Sequence, residues 1–186
     1  YILMEFDSGT VLIHLGMSGS LRSVVRGELL RKHDHVEWLF DKATLRLHDP
    51  RRFGCVLWHP RCAGPVERHP LLEKLGIEPF DLGFNAKYMH DGLAKRSMQI
   101  KKALLAGDIV VGAGNIYASE SLFRARIHPK TKANRVSLAR CERLVKAIRD
   151  TLTDALASGG STLRDYVNAT GEPGAYFTLH AAVYER

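Results

Sequence analysis

The chain has 186 residues, 45% hydrophobic and 25% charged, which allows one large or two small globular domains and excludes a disordered or collagen-like chain. Its apolar runs fall far short of the roughly 20 residues of a membrane-spanning helix, no signal peptide is visible, and three scattered cysteines without a CxxC spacing argue against a disulfide framework or a zinc site within it. A net charge of +7 with a pI near 9.5 points to a polyanionic partner, most often nucleic acid.

Residues 1–59 read as β structure. The runs YILMEF, TVLIHL, SLRSVV, HVEWLF, ATLRLHD and RFGCVLW are separated by the turn signals DSG, GMSG, RGE and DKA. In ATLRLH, Ala43, Leu45 and Leu47 alternate with Thr44, Arg46 and His48, the pattern of a half-buried strand. Short strands at this spacing predict a small sandwich or barrel. The proline-rich stretch HPRCAGPVERHP then breaks the pattern. The organisation expected is a β-sandwich piece over 1–67, a linker over 68–84 and a helical domain over 85–186, an α+β fold.

In the second part, residues 85–96 and 99–106 are helical by composition. The clearest helix is SLARCERLVKAIRDTLTDALASGG, where Leu138, Cys141, Leu144, Val145, Ile148, Leu152 and Leu156 keep the 3.6-residue period. Ser137 is a candidate cap for its start, and Gly159 and Gly160 end it. A shorter helix is expected from Thr162, followed by the turn-rich NATGEPGAYF.

Between these helices lies GAGNIYASES, Gly112 to Ser121. Asn115 is a good N-cap residue, and the glycines before it let backbone N–H groups approach a ligand with no Cβ in the way. A helix start of this kind is a seat for phosphate; the same letters also fit a plain turn between packed helices. Lys95, Arg96, Lys101 and Lys102 form a basic cluster nearby, either a solvated surface or a track for a phosphate backbone.

The stretch KKALLAGDIVVGAGNIYASESLFRARIHP resembles the helix–two-turns–helix motif of the bacterial formamidopyrimidine-DNA glycosylases. IHLGMSGSLR, KHDHVEW, HDPRRFG and GGSTLRDYVNATGEPGAYF resemble further segments of that family in the same order, so the resemblance runs along the whole chain. Ala113 stands where the family often has Val. The resemblance implies a base-excision repair enzyme that flips oxidised purines, such as 8-oxoguanine and formamidopyrimidines, out of duplex DNA and cuts the glycosidic bond and the strand. It implies a bacterial cytoplasmic monomer that binds double-stranded DNA and no membrane. In the family the nucleophile is an N-terminal proline, followed by a glutamate, with a lysine further on, and all three would lie before Tyr1. A four-cysteine zinc finger would follow Arg186. The chain is therefore expected to be the middle of such an enzyme, with no catalytic residue and no metal or cofactor site of its own.

Met17, Arg51 and Phe53 each sit on a loop bounded by Gly or Pro, a poor place for a core side chain. The resemblance assigns them to the gap left by the extruded base: Met17 and Phe53 as wedges, Arg51 as hydrogen-bond donor to the orphaned partner. His33 and His35 alternate as if on one strand, with His33 expected on phosphate or sugar and His35 in a packing or hydrogen-bonding role; no third metal ligand accompanies them. His14, Arg96, Lys101, Gly114, Asn115 and Tyr184 complete the expected DNA-binding set. Two other readings fit the sequence: an endonuclease VIII-type glycosylase for oxidised pyrimidines, and a non-enzymatic helix–two-turns–helix nucleic-acid-binding module.

Overall fold

The computed structural model describes residues 1–161 and 174–184; the helix expected from Thr162 and much of the turn-rich stretch after it lie outside these residues. The chain divides into two units. One holds Tyr1–His69 with residues 158–161 and 174–177; the other holds Pro70–Ala157 with residues 178–184. A single helical turn at Tyr176–Leu179 is the last regular element described.

Among the described residues of the first unit, six strands form: β1 (Ile2–Phe6), β2 (Gly9–His14), β3 (Ser20–Val24), β4 (Asp34–Leu39), β5 (Thr44–His48) and β6 (Cys55–Pro60). They make two antiparallel three-stranded sheets, ordered β1-β2-β6 and β3-β5-β4. Leu12 and Ile13 of the central β2 are both fully buried. Neighbours on a strand point to opposite faces, so β2 is covered on both. Pairing of β2 with β6 sets His14 opposite Cys55 and so brings together the loops that follow one strand and precede the other.

The alternation in β5 has a different outcome from the half-buried strand expected. Its polar face is closed too: Thr44 is 2% and Arg46 1% exposed. Arg46 gives Nε and Nη2 to Glu37 Oε1 (3.0 and 2.7 Å), Nη1 to Asp34 Oδ2 (3.3 Å), and reaches the carbonyls of Glu28 and Leu29 (2.8 and 3.0 Å). Asp34 also accepts from Arg22 (3.0 Å), from the Arg31 N–H (2.9 Å) and from His48 Nδ1 (2.8 Å). A buried guanidinium is tolerated only when paired and hydrogen-bonded, and here two carboxylates and two carbonyls do so. Burial alone would raise the Asp34 carboxyl; the Arg31 N–H, His48 and Arg22 outweigh it and hold Asp34 below the usual range.

The second unit is helical: α1 (Ala86–Ala94), α2 (Ile100–Leu105), α3 (Asn115–Arg124) and α4 (Leu138–Ala157). Asn85 caps α1 by accepting the Tyr88 N–H at 3.0 Å. Phe84, Met89, Leu93, Ile100, Leu104, Leu122, Leu144 and Ile148 form its core. The apolar stripe of α4 is buried through its middle, whereas Leu138 and Leu156, 52% and 72% exposed, lie in its terminal turns outside the packed face. The start of α2 is laced to the turn after α3: the N–H groups of Ile100, Ala133 and Asn134 donate to the carbonyls of Thr131, Met98 and Arg96 at 2.7, 2.8 and 3.0 Å. No helix among the described residues is long and apolar enough to cross a membrane.

Residues 70–84, expected to belong to a linker, are part of this unit. Ile77 bridges to Val110 in parallel, Phe84 is fully buried, and Arg149 of α4 donates to the carbonyls of Pro79, Asp81 and Phe84 at 2.8, 2.9 and 2.8 Å. The boundary between the units falls at His69 and Pro70, at the end of the proline-rich stretch, and the irregular segment after it packs into the helical unit. One guanidinium supplies donors to the carbonyls of Pro79 and Phe84 and a second donor to that of Asp81, which also accepts the Phe84 N–H. Arg149→Met is expected to lower stability by about 2 kcal/mol, since charged hydrogen bonds are lost and carbonyls orphaned. Lys146→Ala, which removes only an exposed pair with Asp150, should change it by about 0.5 kcal/mol or less. Urea unfolding of the two variants side by side checks this.

Candidate nucleic-acid interface

Two groups of predicted residues come together, one in each unit. In the β unit, Met17 lies on the loop between β2 and β3, and Arg51 and Phe53 on the loop between β5 and β6. Met17 is 71% and Phe53 57% exposed, and the Arg51 guanidinium lies 4.7 Å from the centre of the Phe53 ring. The two loops meet backbone to backbone. A Cβ on Gly16, whose φ is +63°, would come within 2.6 Å of the Phe53 carbonyl carbon, and one on Gly54 within 2.7 Å of the His14 oxygen. Glycine at both positions is what lets the loops approach this closely.

Asp49, 3% exposed, locks the contact. Its Oδ1 accepts the Ser18 hydroxyl at 3.0 Å from the Met17 loop, and its Oδ2 accepts the Gly54 N–H at 2.8 Å from its own loop. Its carbonyl accepts the Arg52 N–H at 3.3 Å and His35 Nε2 at 3.0 Å, so His35 carries its proton on Nε2. Burial pushes the Asp49 carboxyl up, but the Gly54 N–H, the Ser18 hydroxyl and the N–H groups of Arg51 and Arg52 together hold it below its ordinary value.

His33 is not on a strand with His35. It precedes β4 with φ +75°, and its carbonyl accepts the Asp49 N–H at 3.0 Å. The rings still group, with His33 centred 6.2 Å from His35 and 6.1 Å from His48. Desolvation first, then Lys32, His35, His48 and Arg52, hold the His33 imidazole below its usual range. His14 is exposed and its Nδ1 accepts the Gly16 N–H at 3.1 Å, which places its proton on Nε2.

In the helical unit, Asn115 does not cap α3. It is the first helical residue, and Gly114 occupies the cap position without a side-chain hydrogen bond. The Asn115 amide instead donates to the Tyr184 hydroxyl at 3.0 Å. The turn needs glycine at Gly112, with φ +79°. Gly114 has an ordinary φ of −66°, and a Cβ there would meet nothing within 4 Å. The fold therefore places no demand for glycine at 114. Glu120, fully buried on α3, accepts the N–H groups of Ala182, Val183 and Tyr184 at 2.8, 3.0 and 2.9 Å. Neither Glu120 nor Asp49 stood out in the sequence. Asp49 reads as a turn starter before Pro50, and Glu120 as one more helical glutamate; a polar residue inside an otherwise apolar helical face was the only signal.

Arg96, expected on a phosphate track, is committed within the protein. Its Nη1 and Nη2 clasp the two oxygens of Asp108, each at 2.8 Å, and its Nε donates to the Gly92 carbonyl at 3.2 Å. A two-pronged pair of this kind outcompetes a solvated role for the guanidinium. Lys101, half-exposed, borders a groove of about 580 Å³ with Phe123, Arg126 and His128. Among the described residues no group of His, Cys, Asp and Glu could hold a metal ion, and Cys55, Cys62 and Cys141 are free thiols. These residues do not fit the zinc that the resemblance implies.

Asp49→Asn keeps the shape but sets an amide against one of the two donors. It is expected to lower stability by about 1–3 kcal/mol at pH 7. A carboxyl held low when folded stabilises above its unfolded pKa, and that contribution is lost as pH falls through the folded value. The gap between wild type and Asp49→Asn should therefore persist at pH 7 and close below the ordinary aspartate value of 3.8. Urea titrations over that range measure it.

Residues 1–56 match the formamidopyrimidine-DNA glycosylase N-terminal domain, and residues 75–167 the formamidopyrimidine-DNA glycosylase H2TH domain. The chain is similar along its whole length to the formamidopyrimidine-DNA glycosylases of Bordetella petrii (67% identical) and Bordetella pertussis (68%), and covers 68% of each. Among solved structures it resembles the MutM (Fpg) protein of Thermus thermophilus, with TM-score 0.82 and 36% identity over 94% of this chain and 64% of that one. It also resembles Lactococcus lactis Fpg in complex with DNA containing an abasic site, with TM-score 0.81 and 32% identity over 92% of this chain and 62% of that one. The chain thus spans about two thirds of the length of these relatives. Both of its units carry the family's sequence, and it belongs to the formamidopyrimidine-DNA glycosylase family.

Proposed function

We propose that the protein carrying this chain is a DNA glycosylase and AP lyase that removes oxidised purines from duplex DNA, working as a monomer in the bacterial cytoplasm. Any zinc it holds would be bound by residues other than those described here. The observation that carries the reading is the paired loop of the β unit, which presents an exposed thioether, an exposed phenyl ring and a guanidinium on a base that a buried carboxylate makes rigid. Extruding a base costs a few kcal/mol of stacking and pairing. Met17 and Phe53 offset part of that by filling the stack. Arg51 contributes hydrogen bonds to the orphaned partner, and contacts of that type are worth about 1–3 kcal/mol of discrimination. The relative bound to abasic-site DNA supports the same use of the fold. Another solved relative, a Lactococcus lactis variant, was bound to DNA containing Fapy-dG, and this supports an oxidised purine as the lesion.

The chain's own contribution is then grip, kink and void filling. In the helical unit, the start of α3 with Gly114, Asn115 and Tyr184 takes a DNA phosphate; His14 and His33 donate to backbone oxygens, and Lys101 adds unspecific charge. Arg96 supports the fold through Asp108 and reaches DNA only by giving up that pair.

Arg51→Ala in the intact protein should slow lesion extrusion roughly tenfold or more, which corresponds to about 1.4 kcal/mol or more, with little loss of melting temperature. Stopped-flow fluorescence of 2-aminopurine beside 8-oxoguanine reports that step; unchanged kinetics in both Arg51→Ala and Met17→Ala would remove them from the gap. Gly114→Ala should leave stability within about 0.5 kcal/mol and weaken damaged and undamaged duplexes alike, because only a bound phosphate meets the added methyl. Equal affinity of this variant and wild type in fluorescence anisotropy would make Gly112 to Asn115 a plain turn.

A further inference from the structure

We infer that Glu120 is a positioning residue for DNA binding: its buried carboxylate fixes Tyr184 so that the Tyr184 hydroxyl holds Asn115 at the start of α3. The inference rests on the phosphate-binding role proposed above for that helix start. Glu120 is fully buried, yet its carboxylate meets no cation among the described hydrogen bonds and ion pairs; its partners are three consecutive backbone N–H groups, Oε2 with Ala182 and Oε1 with Val183 and Tyr184. Consecutive N–H groups converging on one anion form a strong anion site, filled here from within the protein. A buried carboxylate is costly unless so saturated, and packing in a helical core never requires one. The arrangement does achieve one thing. It ties a non-helical segment to α3 at residue 120, and the Asn115–Tyr184 hydrogen bond of 3.0 Å ties the same segment to the same helix at its first residue. Between the two ties the Tyr184 ring can take few positions. An amide that donates one hydrogen to the phenol keeps its second hydrogen for a ligand. The Asn115 amide is then set at a helix N-terminus before any ligand arrives, and a ligand gains affinity because nothing has to be ordered on binding.

The test is a double-mutant cycle in the intact protein, with affinity for an undamaged duplex measured by anisotropy from 50 to 200 mM salt. Tyr184→Phe, which releases the amide, should weaken binding about three- to tenfold with the log–log salt slope unchanged, since a neutral amide and a phenol release no counterions. Glu120→Gln should produce a loss of the same size, and the double variant should lose no more than either single one. Glu120→Asp, which keeps the charge but falls short of the three donors, should lie between wild type and Glu120→Gln and serves if Glu120→Gln does not fold. A merely structural Glu120 would lower the melting temperature and leave the affinity of the folded protein unchanged; that result, or losses that multiply in the double variant, overturns the inference. If Tyr184→Phe and Asn115→Ala both bind like wild type, the phosphate role of the helix start fails, and the inference fails with it. If those two weaken binding and the Glu120 variants do not, only the inference fails.

Discussion

The Asp49 carboxylate is the constraint on which the β unit's exposed loops depend. Loops that carry Met, Phe and Arg into solvent have no apolar packing to hold them. Here one loop is held through the Ser18 hydroxyl and the other through the Gly54 N–H, and both bonds end on the two oxygens of one buried side chain. Glycines at positions 16 and 54 permit the approach, and the carboxylate fixes it. Met17 and Phe53 therefore stand on a common base, although three strands lie between them in the chain.

The same device recurs wherever irregular chain must be held. Asp34 gathers Arg22, Arg46, His48 and the Arg31 N–H, and Glu120 gathers three N–H groups of residues 182–184. Arg149 is its mirror image, a cation holding three carbonyls of the segment before α1. Asp34 and Glu120 take a charged group out of water, which costs several kcal/mol when unpaired, and offset that cost with hydrogen bonds to a charged group, stronger than those between neutral partners; Arg149 is only half-buried. The resulting geometry is specific. A hydrophobic contact tolerates sliding, whereas a carboxylate with three donors does not.

This distribution fits a protein that handles an extended, charged ligand. Strands and helices supply rigidity, and in the proposed function short loops and a helix start supply the surface that meets DNA. Arg96 shows that positive charge alone does not mark that surface. A basic cluster in the sequence contains one guanidinium already neutralised by Asp108, and Asp108 is itself held below the usual carboxylate range, first by its hydrogen bond with Arg96.

Local pattern determined much of this protein. Alternation and turn residues located the strands β1 to β6, and the 3.6-residue period located the buried middle of α4, because those signals depend on neighbours a few residues away. Motif order along the chain identified the family. What the sequence left open depended on partners far along the chain. Arg46 is buried because Glu37 and Asp34 stand across the sheet from it, and Asn115 turns from a cap into a side-chain donor because Tyr184, sixty-nine residues on, lies within 3.0 Å. Residues 70–84 look like a linker until Arg149 of α4 reaches their carbonyls. Burying or pairing a charge is decided by what surrounds it in space, and only the tertiary structure sets those surroundings.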